Sequence, residues 1–575
     1  MPKKVIAAML SVITLFSLAA CNPVKPSDIS NTGTPENKET EKPTVEFPKY
    51  ETETVELKNL KDYTIVYPSN YTEYRKQEVK VLRDTIKKIT GAELDIISDN
   101  EAKKDKEIII ASSLRENGLE DALEKLPHGL DYVVAVRNGN IILGGNNFYA
   151  DMRAIYNFIN NTLGYDDIEN KQDKGKTDIS GVNYTLYEEP VMRISGSNYS
   201  VSAFTEQYVV RDMAKAHFNL ILINSNRYND EQILDFIKWC ARYEIFVCLN
   251  GEKENRLDLF YDCPIIYSTY VVDEPKYDKW KAISAASSEY VQKYGKYGWK
   301  PFVNFCLPLS NFDFLTEWKG LFDECPMICL DTYWGHTLLV DDCWIILNAF
   351  EKVRHIAQSE NKDLWSYIEC YNVTNKKQNT SKMLRWHSYV YLSFGTKNIF
   401  YFQYGDASPN WHAEGDWSYG SLINWDYSKN QSWFDAEKVN DEILELVPIY
   451  SQYKSVGPYI IGVNNYPDAY FENPYPYFND IILDYKYDDG EEIPCLMGFF
   501  DKNDNNSSHA FTLINVEDLN DTPYEEDEAK YMKIKINGEN VKFYRNGKVQ
   551  DVEKDTNGYY NVNMSNGFCW FVTVD

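Results

Sequence analysis

The middle of the chain alternates between short apolar runs and longer amphipathic stretches. Between residues 188 and 452, eight strand-like apolar runs are separated by stretches with helical spacing. Eight β/α units predict an α/β fold, a (β/α)8 TIM barrel, which typically takes about 250 residues. The predicted strands are 192–195, 220–224, 246–250, 267–272, 302–305, 327–330, 364–368 and 399–402. The predicted helices include 207–216, 230–242, 279–294, 340–358 and 381–394.

A doubly wound open sheet would show the same alternation of strands and helices. Such sheets usually have fewer strands and often carry a glycine-rich first turn. The sequence contains no GxGxxG or P-loop motif, so the barrel is the preferred prediction.

The regions on either side of the predicted barrel have different patterns. Residues 51–187 mix strands with amphipathic helices such as 79–89, and Asn138-Gly139 between two apolar runs is a strong hairpin signal. Residues 455–575 lose helical periodicity and show short alternating runs between Asn, Asp and Gly turns. We therefore predict a small α+β domain before the barrel and a β-sandwich after it.

The amino-terminal segment predicts export and a lipid anchor. Lys3 and Lys4 precede an apolar stretch that is too short for a normal membrane span and ends in Leu-Ala-Ala-Cys21. This pattern resembles a bacterial lipobox, which implies a signal peptide over 1–21 and acylation of Cys21. Residues 22–50 are polar and proline-rich, as expected of a disordered tether. We expect a protein anchored to the cell membrane and facing the outside or the periplasm.

Composition narrows the range of partners. Acidic residues outnumber basic residues 87 to 59, for a formal charge of −28, which argues against nucleic acid as a partner. Aromatic residues make up 15% of the chain, and aromatic faces with polar edges suit sugar rings. The cysteines show no zinc-type spacing, so most are interpreted as small buried hydrophobic residues. We predict no cofactor and no metal.

The candidate chemistry lies at the carboxyl ends of the predicted strands, where TIM barrels place their active sites. Strand 4 ends in Asp273-Glu274, and strand 7 ends in Glu369. Two carboxyl groups that face one barrel mouth meet the requirement of glycoside hydrolysis. Further candidate substrate-binding residues in or after the strands are Asn304, Asp331, Tyr333, Trp334, Trp365, Gln403 and Trp411.

These positions resemble glycoside hydrolase clan A, and the eighth unit resembles β-galactosidase-like barrels. The resemblance implies that Glu274 is the acid/base, that Glu369 is the nucleophile and that Tyr333 hydrogen-bonds the nucleophile. The small first domain resembles the non-catalytic domain of family 20 hexosaminidases and α-glucuronidases, on the order of its elements and the TG-x-x-L turn from Thr90 to Leu94. The implied function is a retaining glycosidase acting on oligosaccharides or polysaccharides.

One residue departs from the clan A pattern and keeps two other interpretations open. Clan A has asparagine before the strand-4 glutamate, whereas this chain has Asp273. Adjacent Asp-Glu pairs resemble N-acetylhexosaminidases of families 20 and 123, in which the aspartate orients the substrate's acetamido group and the glutamate is the acid. Asp273 is equally consistent with a residue that only caps the loop before Pro275. A non-catalytic sugar-binding lipoprotein is the third interpretation.

Overall fold

The computed structural model describes residues 45–198, 205–251, 254–306, 318, 320–331, 340–370, 381–405, 421–462, 478–487, 492–503, 505–516, 529–565 and 567–575. Residues 48–575 fold into one unit that contains four main sheets. In chain order they are a six-stranded sheet, a parallel barrel and two packed antiparallel sheets. The predicted fold class is therefore confirmed.

The first sheet contains both parallel and antiparallel strand pairs. The helices of this domain pack against the sheet, and the two share one hydrophobic core. Its strand order is β10-β5-β6-β4-β2-β3. Asn138 and Gly139 join β5 to β6 with φ values of 52° and 74°, the left-handed pair that a tight hairpin turn needs. The elements are β1 Thr54–Glu56, β2 Thr64–Tyr67, α1 Glu73–Thr90, β3 Ile96–Ser98, β4 Glu107–Ile110, α2 Glu120–Leu123, β5 Tyr132–Arg137, β6 Asn140–Gly144, α3 Phe148–Asn157, β7 Tyr165–Asp166, β8 Lys171–Gln172, β9 Asp178–Ser180 and β10 Val182–Thr185.

Eight parallel strands form the nearly closed barrel, and the fourth is split into two pieces, β14 and β15. The sheet runs from β14 around the ring to β15, so its two ends belong to the same strand. The elements are β11 Arg193–Asn198, α4 Gln207–Lys215, β12 Leu220–Asn224, α5 Asp230–Arg242, β13 Phe246–Asn250, β14 Ile266–Ser268, β15 Val271–Asp273, α6 Trp280–Tyr294, β16 Phe302–Phe305, β17 Met327–Leu330, α7 Val340–Ser359, β18 Asp363–Glu369, α8 Ser381–Leu392, β19 Asn398–Phe402 and α9 Gln431–Tyr450.

Side chains alternate between two cores along the barrel strands. The inner core fills the barrel with Leu220, Leu222, Cys248, Tyr267, Phe302, Met327, Cys329, Trp365, Tyr367 and Phe400. The intervening residues, such as Ile221, Ile223 and Val247, join the outer core shared with the helices. This alternation explains why the strands read as continuous apolar runs, since both faces are buried.

Polar contacts join the first domain to the barrel helix α5. Lys238 forms an ion pair with Glu78 at 2.9 Å, and both side chains are buried. One turn further along α5, Arg242 pairs with Asp167 at 2.7 Å. Buried ions must be paired to be tolerated, so these contacts fix the helix against the first domain.

The carboxyl-terminal sandwich packs one sheet on the barrel and the other on that sheet. The six-stranded sheet has the order β20-β22-β23-β28-β25-β26, and the second sheet is β21-β24-β27. The buried Arg385 of α8 bonds Glu442 of α9 and the carbonyl of Gly567. The elements are β20 Tyr453–Ile461, α10 Phe478–Ile481, β21 Ile482–Tyr487, β22 Cys495–Lys502, β23 Asn505–Asn515, β24 Tyr531–Ile536, β25 Val541–Arg545, β26 Lys548–Gln550, β27 Tyr560–Asn563 and β28 Cys569–Val574.

The free thiols among the described side chains are those of Cys240, Cys248, Cys263, Cys306, Cys325, Cys329, Cys370, Cys495 and Cys569. All of these are buried except Cys306, which confirms the interpretation of most cysteines as small core residues. None of the described helices is both long enough and apolar enough to span a membrane. The predicted signal peptide, Cys21 and most of the predicted tether lie outside the described residues.

Candidate active site

A ring of polar side chains closes the apolar interior at the carboxyl end of the barrel. On six strands a polar residue stands two positions after the last apolar residue of the inner core, for example Asp331 after Cys329. Because strand side chains alternate with a period of two, these residues point into the barrel mouth. We call this set the mouth ring: Asn224, Asn250, Asp273, Asn304, Asp331 and Glu369.

Asn304 links two acidic members of the mouth ring. Its Nδ2 donates to Asp273 Oδ1 at 2.9 Å and to Asp331 Oδ2 at 2.8 Å. Asp273 and Asn304 are register partners on β15 and β16, and Asp331 follows the next strand, β17. One amide group therefore fixes the carboxyl groups of strands 4 and 6 on either side of strand 5.

Glu274 follows β15 directly and turns out of the strand. Its φ is +44°, in the left-handed region that residues other than glycine seldom adopt. Its N–H donates to the carbonyl of Asn304 at 2.9 Å, which holds this turn against β16. Its side chain is exposed, unlike that of Asp331, which is 4% exposed. Strained backbone of this kind is concentrated at functional sites.

Glu274, Asp331 and Cys306 form a tight group at the mouth. One carboxyl oxygen of Glu274, one of Asp331 and the sulfur of Cys306 all lie within 4.8 Å of one another. Burial raises the pKa of Asp331 to about 9, and the Glu274 carboxyl beside it adds to this increase. Burial also raises the pKa of the Cys306 thiol to about 12, with the charges of Asp331 and Glu274 contributing. At neutral pH this group therefore holds a proton on a carboxyl.

The same three side chains are the set within the described residues that could together ligate a cation. Two carboxylate oxygens and one sulfur would suit a zinc-like ion. The ligating sulfur would have to be a thiolate, and the raised pKa of Cys306 opposes that state. These residues therefore suit proton chemistry better than metal binding.

Glu369 ends β18 and belongs to the mouth ring. It is 4% exposed and is the register partner of Phe402 on β19. Strand β18 pairs with β17, whose following residue is Asp331. The acidic residues of strands 4, 6 and 7 are thus at the same end of the barrel.

Several sequence predictions are corrected by the structure or lie beyond it. Trp365 is not a sugar platform, because it is 2% exposed and packs in the inner core against Tyr267 and Phe302. Gln403 follows β19 and is 4% exposed, as Asp331 and Glu369 are, so its contact with a sugar stays a prediction. Tyr333, Trp334 and Trp411 lie outside the described residues.

Cys306 is the described exception to the interpretation of most cysteines as buried residues. It follows the apolar run that forms the fifth strand. Strand β16 ends at Phe305, so Cys306 begins the loop and is exposed beside the two carboxyl groups. The sequence predicts the end of this strand correctly at residue 305, but hydrophobicity gives no sign that Cys306 meets Glu274 and Asp331, because cysteine is itself apolar.

Comparisons with known proteins give weak structural likeness. No protein-family model and no curated protein matches the chain. A β-galactosidase from the Antarctic haloarchaeon Halorubrum lacusprofundi is 12% identical, with a TM-score of 0.31, over 44% of this chain and 58% of that one. A glucosidase from Croceicoccus marinus is 11% identical, with a TM-score of 0.32, over 67% of this chain and 96% of that one.

Barrel enzymes of other chemistry match at a similar level. A 3-deoxy-D-arabino-heptulosonate 7-phosphate synthase from Thermotoga maritima is 10% identical, with a TM-score of 0.27, over 45% of this chain and 87% of that one. TIM barrels host many unrelated reactions, and likeness at this level does not distinguish between them. The class of the fold therefore rests on the strand topology, and the function must be argued from the mouth of the barrel.

Proposed function

We propose that this protein is an extracytoplasmic glycoside hydrolase that cleaves oligosaccharides or polysaccharides with retention of configuration. The observation that carries the proposal is the convergence of acidic residues from strands 4, 6 and 7 on one barrel mouth, where burial raises the pKa of Asp331, beside Glu274, to about 9. Glycoside hydrolysis needs one protonated and one ionised carboxyl on either side of the scissile bond. The resemblance to clan A gives Glu274 and Glu369 these roles.

In the proposed mechanism, Glu274 protonates the glycosidic oxygen while the Glu369 carboxylate attacks the anomeric carbon. The bond to the leaving oxygen breaks with its electron pair, and a glycosyl ester forms on Glu369. Water then attacks the ester and returns a proton to Glu274. Glu274 is exposed, which suits an acid that meets the leaving group. Glu369 is buried, which suits a nucleophile beneath the sugar ring.

A screen of nitrophenyl glycosides with the purified full chain tests the activity and identifies the sugar. Glu274→Gln should slow substrates with poor leaving groups far more than activated aryl glycosides, because a good leaving group needs little protonation. Glu369→Ala should lose activity and regain part of it with added azide, which takes the place of the carboxylate. Equal losses by Glu274→Gln on both substrate types would remove Glu274 from the acid role.

Substrate-assisted N-acetylhexosaminidase action is the second candidate. The observation that favours it is the position of Asp273, the residue before the proposed acid Glu274. Asn304 Nδ2 donates a hydrogen bond to Asp273 Oδ1 at 2.9 Å and so fixes this side chain. In this mechanism Asp273 would orient the acetamido group of the substrate, which would attack the anomeric carbon in place of Glu369. Inhibition by a thiazoline sugar, together with full activity of Glu369→Ala, would support it. Binding of sugars without turnover would leave a non-catalytic sugar-binding protein.

We also propose that the chain is exported and held at a membrane by lipid on Cys21. The support is the order of Lys3, Lys4, a short apolar stretch and Leu-Ala-Ala-Cys21. The flanking domains, predicted over 51–187 and 455–575, would then support a barrel that faces the outside or the periplasm. Metabolic labelling with a fatty-acid analogue should mark the wild-type chain and fail to mark Cys21→Ser. Equal labelling of both chains would refute the anchor.

A further inference from the structure

We propose that Asp331 is a positioning residue that shares one proton with Glu274, so that the acid of this barrel is a pair of carboxyl groups. The inference rests on the proposed function of Glu274 and gives Asp331 a role other than binding a sugar hydroxyl. Asp331 is buried at the end of strand 6, whereas Glu274 is exposed at the end of strand 4. The buried carboxyl would store the proton, and the exposed carboxyl would deliver it.

The first support is the hydrogen bonding of Asp331. Its Oδ2 accepts from Asn304 Nδ2 at 2.8 Å, whereas its Oδ1 is buried and no described residue donates a hydrogen bond to it. A buried carboxylate oxygen without a donor destabilises the folded state, because it has lost its hydrogen bonds to water. A proton shared with Glu274, whose carboxyl lies within 4.8 Å, removes this destabilisation.

The second support is the charge around the pair. No lysine, arginine or histidine among the described residues forms an ion pair with Glu274 or Asp331. Among the described residues, the titratable groups that face Asp331 are Glu274 and Asp273 from strand 4 and Cys306 from strand 5, and none of them is cationic. Glu369 ends the neighbouring strand β18. Two adjacent carboxylates with no cationic partner among the described residues repel each other, so the pair retains one proton through neutral pH.

The shared proton accounts for both steps of the proposed reaction. When Glu274 gives the proton to the leaving oxygen, the bonding electrons of the anomeric bond stay on that oxygen. The pair is then left with two negative charges, whose repulsion makes it a stronger base. The attacking water returns its proton to the pair, and the ester electrons go back to the Glu369 carboxylate. The pair therefore alternates between acid and base without a further reactant.

The pH profile of Asp331→Asn is the first test. Asparagine keeps the shape and still accepts from Asn304, but it removes one charge and the shared proton. Without the shared proton, the basic limb of kcat/KM should move down by about 2 pH units, from about 9 to about 7, which lowers kcat/KM about tenfold at pH 8. Cys306→Ser is the matched control, since it changes a neighbour of the same pair and should keep the basic limb in place.

Infrared titration of the full chain, without substrate, is the second test. The wild type and Cys306→Ser should show the band of a neutral carboxyl at pH 7.5, and Asp331→Asn should lose that band. If Asp331→Asn fails to fold, Glu274→Gln takes its place, and loss of the neighbouring charge should move the titration of Asp331 down by more than one pH unit. An unchanged band or midpoint would overturn the shared proton.

The two readouts separate the inference from the proposed function. Hydrolysis of a glycoside with no spectral change in Asp331→Asn would leave the glycosidase and reject the pair. A spectral change in a protein that cleaves no glycoside would leave the pair and reject the glycosidase. A parallel loss of activity at every pH, with the neutral-carboxyl band retained, would reduce Asp331 to a structural residue.

Discussion

Replacing Asn304 with aspartate would place a carboxyl group between two others. Asn304 Nδ2 lies 2.9 Å from Asp273 Oδ1 and 2.8 Å from Asp331 Oδ2, and it donates to both. In Asn304→Asp an oxygen takes the place of that nitrogen, so two hydrogen bonds become two contacts between acceptors. Asn304 is 2% exposed, so water cannot readily replace the lost donors.

The expected cost follows from these contacts. The two lost hydrogen bonds are worth about 2–5 kcal/mol together, and repulsion between close carboxylates adds to this. At pH 8 we expect Asn304→Asp to lower the free energy of unfolding by about 3–6 kcal/mol. Burial and like charges raise the folded pKa of the added carboxyl, so the folded state binds more protons than the unfolded state. Stability is therefore lost as pH rises, and at pH 5 the deficit should fall to about half.

Urea unfolding of the full chain at pH 5 and pH 8, followed by tryptophan fluorescence, measures both values. Asn224→Asp is the matched control, because Asn224 occupies the same ring on strand 2. Its Oδ1 accepts from the N–H of Asn226 at 3.2 Å, a role that a carboxylate also fills. We expect the control to change stability by less than about 1 kcal/mol. A deficit independent of pH, or one equal to that of Asn224→Asp, would refute the acidic arrangement around Asn304.

Three further outcomes are expected. Burial raises the pKa of Asp151 from 3.8 to about 7. Between these two pH values the Asp151 carboxyl is protonated in the folded state and ionised in the unfolded state. Stability should therefore fall by about 4 kcal/mol from pH 4 to pH 7, and urea titrations of Asp151→Asn should lose this slope. A Cβ on Gly144 would lie 1.8 Å from Asp151 Oδ1, so Gly144→Ala should lower the melting temperature far more than Gly91→Ala, where no atom lies within 4 Å. Trp365→Ala should cost about 3–5 kcal/mol in urea unfolding and leave the KM of any glycoside unchanged, because it fills the core.

The barrel could be predicted from the sequence because both faces of its strands are buried. Runs such as Leu220–Asn224 and Phe246–Asn250 appear as uninterrupted apolar segments, and the structure gives both strands these bounds. Hydrophobicity locates such runs without any knowledge of their neighbours. The same holds for the hairpin at Asn138-Gly139, where the two turn residues alone specify the backbone.

The polar ends of the strands were found as a set, but their contacts could not be derived. Asp273, Asn304 and Asp331 were predicted as separate sugar contacts, whereas the structure joins them through one amide group. That contact depends on the stagger between neighbouring strands, which a single strand does not encode. Trp365 was misassigned for a related reason, since a period of two places it two positions before Tyr367, inside the barrel.

The inner core of the barrel explains why its mouth can hold an uncommon carboxyl pair. Below the mouth ring, Trp365 packs against Tyr267 and Phe302, while Tyr367 stacks on Phe400 at 4.4 Å. Together with Cys329, which lies two positions before Asp331 and is fully buried, these side chains fill the barrel, so Asp331 is desolvated and has Glu274 and Asp273 as acidic neighbours. Burial and like charge then act in the same direction, toward a retained proton. A barrel filled with smaller side chains would admit water to this position and lose that effect, so the aromatic core contributes to the proposed chemistry as well as to stability.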